Sequence, residues 1–524
     1  MAIRPASLFR LAAAGYVLAR EGAFGIVDLD ELPPQAVFMV RALRLLERRS
    51  VKGEDRGTRI TAALNRLGPS YVKLGQFMAT RPDFVGEDVA EALGRLRDEI
   101  EPFGEAAARV VIARDFGKPV EQLYASFSPP IAAASIAQVH KASRVNADGS
   151  VDDVAVKVLR PGVRNRFKRD LSTFYAGARL VEAMDPAMQR LRPIAVVDTL
   201  ARSVALEMDL RLEAAALSEM AERTKGDPGF RVPKVDWQRT SRDVLTLEWI
   251  DGVKLSDPAG IEAAGHDLKE VAIRLMQSFL RHAVRDGFFH ADMHQGNLFV
   301  DPAGNIVAVD FGIMGRLGKA ERRFLAEILF GFIRRDYRRI AEVHFEAGYV
   351  PPRHTVEDFA QALRAIGEPI HGQAASDISM ARLLTLLFEI TEIFDMRTRP
   401  ELLMLQKTMV VVEGVARSLD PKFDMWRASE PVVGEWIERN LGPVGKIEEA
   451  ASGVGAFGRA AARVPALIDN AAKLAGRLRA ATEEGITLSP ETVEAIGRAE
   501  GRGNRWLTIG IWAVAVLLAI LVLR

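Results

Sequence analysis

Two histidines, three aspartates and Asn297 crowd the stretch FFHADMHQGNLFVDPAGNIVAVDFG, Phe288 to Gly312. Three kinds of chemistry or structure use such residues. Imidazoles and a carboxylate at alternate positions, as in His290, Asp292 and His294, can hold Zn²⁺ or Fe²⁺. A carboxylate followed by an amide and a second carboxylate can position a phosphate acceptor and bind Mg²⁺ through hard oxygens. The same polar residues can also cap turns around a hairpin.

Order and spacing favour the second use. Four residues separate Asp292 from Asn297, and Asp-Phe-Gly follows at Asp310 to Gly312. Protein-kinase catalytic loops read H-R-D-x-x-x-x-N with D-F-G downstream. Ala291 stands where the arginine would be. Asp292 is the candidate catalytic carboxylate, and Asn297 and Asp310 are the candidate Mg²⁺ ligands. LFVDPAGNIVAVDFG reads as strand, turn and strand, with Asp310 at the strand's end. The metal-hydrolase reading explains none of Lys157, Asn297 or Asp310.

A kinase-type site demands a strand lysine upstream, preceded by a phosphate-covering loop. VAVK ends at Lys157 and nearly matches the V-A-I-K strand, whose lysine neutralises the α- and β-phosphates. PPIAAASIAQVH stands where a Gly-rich loop would lie, with Ala132, Ala133, Ala134 and Ser135 in place of glycines. Alanine forbids most positive-φ conformations, so nucleotide contacts should differ from those of ordinary kinases. ALEMDLRLEAAALSEM offers Glu207, Asp209 and Glu213 on a helix, where Asp209 and Glu213 share a face. Glu213 is the expected partner of Lys157. After Asp310 a helical pattern resumes within about ten residues and no A-P-E follows. Without a long peptide-docking segment, ATP hydrolysis or phosphorylation of a small or lipid-like molecule fits better than protein phosphorylation.

At this point the chain closely resembles the UbiB family of atypical, protein-kinase-like ATPases linked to ubiquinone biosynthesis. The resemblance covers about residues 60 to 440, plus the C-terminal tail. The family's K-x-G-Q signature stands as Lys73-Leu74-Gly75-Gln76, its Ala-rich loop as AAASIAQVH, and its E-x-D signature as Glu207-Met208-Asp209. The catalytic loop HADMHQGN departs from the family's usual form only by Gln295 in place of proline, a non-ligand position. The resemblance implies that the K-x-G-Q helix folds over the active site, with Lys73 paired to Glu207. Lys73, Gln76, Glu207 and Asp209 would then be gating residues. It implies a nucleotide-binding set of Ala132, Ala133, Ala134, Ser135, Val139, Lys157, Glu213 and Glu248. It also implies ATP or ADP with Mg²⁺ as cofactors, and the lipid bilayer and polyprenyl phenol precursors of ubiquinone as partners. Other ubiquinone-biosynthesis proteins are further expected partners. ATP turnover would support ubiquinone assembly by moving or exposing polyprenyl intermediates. The alternative is a nucleotide-binding scaffold for biosynthetic enzymes, needing no phosphoryl transfer.

The elements that must position these residues follow from periodicity. Short β-like runs, QVHKASRV and VDDVAVKVL around the turn signal NADG, precede long helical patterns. That order predicts an α+β, protein-kinase-like two-lobed fold with a cleft between lobes, an N-terminal helical extension and a C-terminal transmembrane helix. Residues 1–110 form the extension carrying K-x-G-Q, and 111–440 the kinase-like domain, with its small lobe ending near 250. Residues 441–505 form a helical connection. Its GVGAFG string, Gly453 to Gly458, follows no apolar strand and so lacks the setting of a dinucleotide fingerprint. Trp506 to Leu523 is a run of 18 residues without a charge, which as a helix covers roughly 27 Å. Arg502 and Arg505 before it keep the catalytic domain cytoplasmic, on a bacterial inner membrane with a single C-terminal span. MAIRPASLFRLAAAGYVLAR is interrupted by Arg10 and reads as an amphipathic first helix. Among 524 residues, 70 basic side chains balance 69 acidic ones, which gives no footprint for nucleic acid. The absence of cysteine excludes disulfides and thiolate zinc sites.

Overall fold

The computed structural model describes residues 5–26, 34–48, 51, 53–79, 85, 89, 92–93, 101–184, 192–371, 390–391, 393–396 and 400–442. The described residues up to Ala142, with Val156–Asp209, form one compact unit. Ser143–Ala155 and the described residues from Leu210 onward form a second.

The first unit opens with helices α1 (Pro5–Arg20), α2 (Pro34–Arg44), α3 (Arg56–Leu67) and α4 (Pro69–Met78). Asp55 caps α3 by accepting the Thr58 amide at 3.0 Å. Gly68, at φ +98°, turns the chain from α3 into α4, and Pro69 starts the new helix at the one place where a missing N–H costs nothing. Leu64, Met78, Leu93 and Val196 bury a small core there. Helices α5 (Glu105–Phe116) and α6 (Val120–Leu123) follow. The boundary expected near residue 110 therefore falls inside α5, and the helical segment gives way to strand only at Ser126.

Strands β1 (Ser126–Ala133), β2 (Ala137–Val145) and β3 (Val151–Leu159) come next, in spatial order β1-β2-β3 with a later strand, β5, beyond β3. In β3, Val154, Val156 and Val158 are buried while Ala155 and Lys157 between them are half-buried, the period-two signature of a strand. The Asn146 amide donates to Ser150 O and the Arg160 amide to Ile136 O, each at 2.8 Å. Both ends of the β2–β3 hairpin thus keep one register, which sets Val139 directly across from Lys157 on the same face.

Helix α7 (Val163–Met184) packs on α1, and α8 (Pro193–Glu207) packs on α7 and α4. The second unit continues with α9 (Leu210–Arg223). The acidic segment expected as one helix is therefore broken. Met208 leaves helical geometry at ψ 10°, and the Leu210 amide turns away to Arg242 O. Asp209 and Glu213 share no continuous helical face as a result.

Two-residue β4 (Phe230–Arg231), β5 (Val244–Glu248) and β6 (Val253–Lys254) precede α10 (Pro258–Ala263) and α11 (Leu268–Leu280). Helix α11 ends in a π-turn, Arg281–Asp286, closed by Gly287 in the left-handed region. Strands β7 (Phe288–His290), β8 (Leu298–Val300), β9 (Ile306–Ala308) and β10 (Met314–Arg316) carry the motif stretch. β9 pairs parallel with β4 and antiparallel with β8, which pairs with β6; β10 pairs antiparallel with β7. Helices α12 (Lys319–Arg334), α13 (Tyr337–Glu346), α14 (Val356–His371), α15 (Pro400–Leu419) and α16 (Met425–Leu441) complete the described chain. Tyr337, Ile340, Phe359, Leu363 and Phe394 centre their core.

No helix among the described residues is long and apolar enough to cross a membrane. The expected span at 506–523, its connecting segment from 443 and the GVGAFG string all lie outside the described residues.

Gly315 owes its identity to the pairing of β10 with β7, since a Cβ there would lie 2.1 Å from Phe289 Cζ. Gly315→Ala should cost about 1–3 kcal/mol through overpacking, lowering the thermal unfolding midpoint. Gly434→Ala, in a helix with open space at the new methyl, should leave that midpoint unchanged or raise it.

Candidate functional site

Strand β7 delivers His290 to the start of the catalytic loop and buries its ring against Phe311, with ring centroids 4.9 Å apart. The Asp292 amide donates to His290 Nδ1 at 3.0 Å, so that nitrogen must carry a lone pair. Burial pushes the His290 pKa below the usual 6.5, while the nearby carboxylates of Asp292 and Asp310 pull it back up. At neutral pH the ring is the acceptor that the loop requires.

The loop closes on itself through Asn297. Its amide N–H donates to His294 O at 3.0 Å, and its side-chain Nδ2 donates to Asp292 O at 3.2 Å. With the nitrogen end so used, the side chain's accepting end is its amide oxygen. The Val309 amide donates to Asn297 O, fastening the loop to the strand that leads to Asp310. Asp310 Oδ1 accepts the Gly312 amide at 3.0 Å. Glu213 is buried on α9, and its carboxylate faces the Phe311 amide at 3.5 Å. Asp292, Asn297, Asp310 and Glu213 therefore share one neighbourhood of the second unit.

The third aspartate of the stretch builds the frame. Asp301 accepts the amides of Ala303 and Asn305 at 3.1 and 2.8 Å, which shapes the β8–β9 turn around Gly304 at φ +81°. Arg231 Nε donates to Asp301 at 2.8 Å, and Arg231 Nη1 donates to Glu248 at 3.0 Å. Glu248 also accepts the Lys234 amide. The carboxylate of Glu248, expected at the nucleotide, is thus committed to a brace between strands.

Both histidines of the stretch turn a ring nitrogen to the backbone. His294 Nδ1 accepts the Gly296 amide, as His290 Nδ1 accepts that of Asp292. Each ring spends a lone pair on backbone. Among the described residues no group of three His, Cys, Asp or Glu is arranged to hold a metal.

In the first unit, Lys73 Nζ lies 3.0 Å from Glu207 Oε2, with side-chain exposures of 13% and 14%. The K-x-G-Q helix is α4, and the E-x-D segment is the break after α8. Lys157 projects from β3 opposite Val139. The alanine loop is a tight reversal in which the Ala134 amide donates to Ala137 O at 2.8 Å. None of Ala132, Ala133, Ala134 or Ser135 adopts positive φ, so alanines serve where glycine's freedom goes unused. Beneath it, Gln138 accepts the Phe103 amide and contacts His140 Nε2 at 2.8 Å, and His140 Nδ1 bonds Ser128 O. Sequence reasoning missed this buried relay and the role of His290. Their one legible signal was a polar residue at a position whose strand neighbours face inward.

Polar residues from a catalytic loop, a D-F-G segment and a mixed sheet-and-helix scaffold define an atypical kinase-like protein. Residues 95–344 match the model of the ABC1 atypical kinase-like domain, and residues 363–424 match that of the UbiB helical domain. The "Probable protein kinase UbiB" of Marinobacter nauticus is 37% identical over 471 residues, covering 88% of this chain and 84% of the relative. Its namesake in Xanthomonas campestris pv. campestris is 38% identical over 401 residues, covering 75% and 72%. That of Aeromonas hydrophila subsp. hydrophila is 39% identical over 397 residues, again covering 75% and 72%. The chain belongs to the UbiB family. A solved Mycobacterium tuberculosis structure, "The complex structure of Rv3197-erythromycin", aligns over 76% of this chain and 97% of that chain, at 24% identity and TM-score 0.47.

Three buried histidines of the second unit, His282, His290 and His344, have pKa values lowered mainly by burial, that of His344 to about 4. Once unfolded they bind protons near 6.5, so stability is fully present above that pH and is lost as pH falls toward 4. The thermal midpoint should drop over that interval. His344→Phe should flatten the slope, leaving the part due to His282 and His290.

Proposed function

We propose that this UbiB-family chain is a membrane-tethered, Mg²⁺-dependent ATPase or atypical kinase. It serves ubiquinone biosynthesis by acting on or moving polyprenyl intermediates rather than by phosphorylating proteins. The observation that carries this reading is the path after D-F-G. Only Ile313 to Gly318 separate it from α12, and within them Met314, Gly315 and Arg316 pair with His290, Phe289 and Phe288 of β7. A peptide substrate has no extended docking segment to use there.

The donor set fits magnesium. Mg²⁺ takes oxygen ligands, keeps several waters, and binds through one or two carboxylates plus substrate phosphates. Asn297 and Asp310 supply an amide oxygen and a carboxylate in one neighbourhood, and would hold the ion. When bound it neutralises charge on the phosphates. Asp292, anchored at its own amide by His290, orients the attacking hydroxyl or water and can take its proton. Lys157 neutralises phosphate charge, with Val139 beside it as apolar wall to the nucleotide. Ala132 to Ser135 line the phosphates with methyls instead of glycine backbone. Since the carboxylate of Glu248 is committed to Arg231 and its amide to Lys234 O, it supports the nucleotide set as part of the frame. The Lys73–Glu207 pair, with Gln76 and Asp209 beside it in sequence, gates access. The bilayer and the phenolic ubiquinone precursors are the proposed partners at the bacterial inner membrane.

The scaffold reading predicts that chemistry is dispensable, and the two separate by substitution. Asp310→Asn should abolish Mg²⁺-dependent ATP binding in an equilibrium titration, and undiminished affinity and turnover would sink the assignment. Asp292→Asn should retain nucleotide binding, lose turnover by about 100-fold or more, and fail to restore quinone synthesis in cells lacking the protein. Full restoration by that variant would favour the scaffold.

A further inference from the structure

The peptide that leads into Asp292 is held at both ends. Its N–H, from Asp292, donates to His290 Nδ1; its C=O, from Ala291, accepts the hydroxyl of Thr408 at 3.1 Å. Thr408 lies on α15, within the UbiB helical domain, and is 1% exposed. Helix α15 packs on α11 and on β10, so the hydroxyl reaches the loop from a framed position. The Ala291 amide donates in turn to Ile313 O at 3.0 Å. Ala291 is the residue that replaces the arginine of the protein-kinase H-R-D motif, so no side chain there can fix the loop. Instead a hydroxyl from the helical domain reaches the loop's backbone carbonyl.

The same hydroxyl lies 2.8 Å from Met404 O on its own helix. A threonine has one hydroxyl proton, so the two carbonyls share or compete for it. Tilting the proton toward Met404 releases the Ala291 carbonyl, and tilting it toward Ala291 fixes the plane of the peptide that carries Asp292.

We propose that Thr408 is a positioning residue for Asp292, by which the helical domain sets the geometry of the catalytic loop. This rests on the phosphoryl-transfer reading above. A fixed carboxylate is needed when the proton moves and not when nucleotide binds, so loss of the contact should fall on kcat alone.

The test compares the full chain with Thr408→Val and Thr408→Ser. Thr408→Val keeps the shape and removes the proton; Thr408→Ser keeps the proton. Thr408→Val should lower kcat for Mg-ATP about three- to ten-fold, the worth of one hydrogen bond. KM for ATP should hold, the thermal midpoint should fall by no more than the few degrees one buried hydrogen bond is worth, and Thr408→Ser should restore the rate. Parental kcat in Thr408→Val, an equal fall in Thr408→Ser, or a joint loss of KM and midpoint would each overturn the proposal. Absence of turnover in the parent would instead overturn the phosphoryl-transfer reading. Hydrogen exchange at the Asp292 amide decides the contact in that case. Faster exchange in Thr408→Val than in the parent and Thr408→Ser supports it, and equal exchange in all three overturns it.

Discussion

The lone pair of His290 Nδ1 receives the Asp292 amide, and that bond exists only while the imidazole is neutral. Neutrality comes from burial, because a charged ring in an apolar surround loses its hydration. Burial in turn needs β7 seated in the core, with Phe288, Phe289 and His290 all inaccessible. β7 is aimed by what precedes it. The π-turn Arg281–Asp286 shifts the chain's phase at the end of α11, and Gly287 then reverses it in a conformation that side chains resist. Asp227 holds the π-turn from outside through His282 and two bonds from Arg285, at 2.7 and 3.0 Å; despite burial, His282 first and then Arg285 keep its carboxylate ionised far below the ordinary range. A catalytic loop thus depends on a chain of local commitments that begins well upstream of it.

The first unit makes a comparable commitment with charge. A lysine and a glutamate each about seven-eighths buried have lost most of their hydration, and removing either would strand the other's charge. Such a pair contributes little net stability relative to apolar packing, yet it specifies geometry because no other arrangement satisfies both ends. Its glutamate stands at the end of α8, where Arg164 reaches Met208 O and fastens the break to α7. The helix that carries K-x-G-Q and the segment that carries E-x-D are therefore tied to the same scaffold. A pair buried this far separates only if both charges find substitutes together, as a phosphate group or a second ion could supply.

Much of this was legible in the residues. VDDVAVKVL forms β3 from Val151 to Leu159, and the Pro-Ala-Gly-Asn turn lies between β8 and β9, because alternating valines and turn-formers act locally. The pairing of Lys73 with Glu207 came through resemblance alone, since nothing in a solvated-looking lysine marks it as buried. Three features escaped. Helix periodicity put Glu207, Asp209 and Glu213 on one helix, with Asp209 and Glu213 on one face, because each residue there tolerates helix, whereas a tertiary bond from the Leu210 amide to Arg242 O breaks it. Glu248 was legible as an acid but not as a partner of Arg231, which bridges it to Asp301 from a different sheet. His290 looked like a metal ligand or a bystander, because its use is to accept a main-chain N–H, and such a use leaves no spacing signature.

The pairing of β10 with β7 bears most directly on what such a loop can accept. Extended peptides bind by adding main-chain hydrogen bonds to an exposed strand edge, with affinity from backbone and specificity from side-chain pockets. Here the edge of β7 facing β10 is already occupied from His290 to Phe288 by Met314 to Arg316. A peptide would have to displace that strand, and each displaced bond costs about 1 kcal/mol before any new one forms. Gly315, packed against the tip of the Phe289 ring, makes the strand harder to remove, because its departure would uncover an aromatic ring that is fully buried. A hydroxyl on a small or lipid-like acceptor, or a water molecule, needs no strand edge. It needs one oriented carboxylate and a route to it. The fold invests in the first by fixing the Asp292 backbone, and its pairing of β10 with β7 takes up the strand edge beside it.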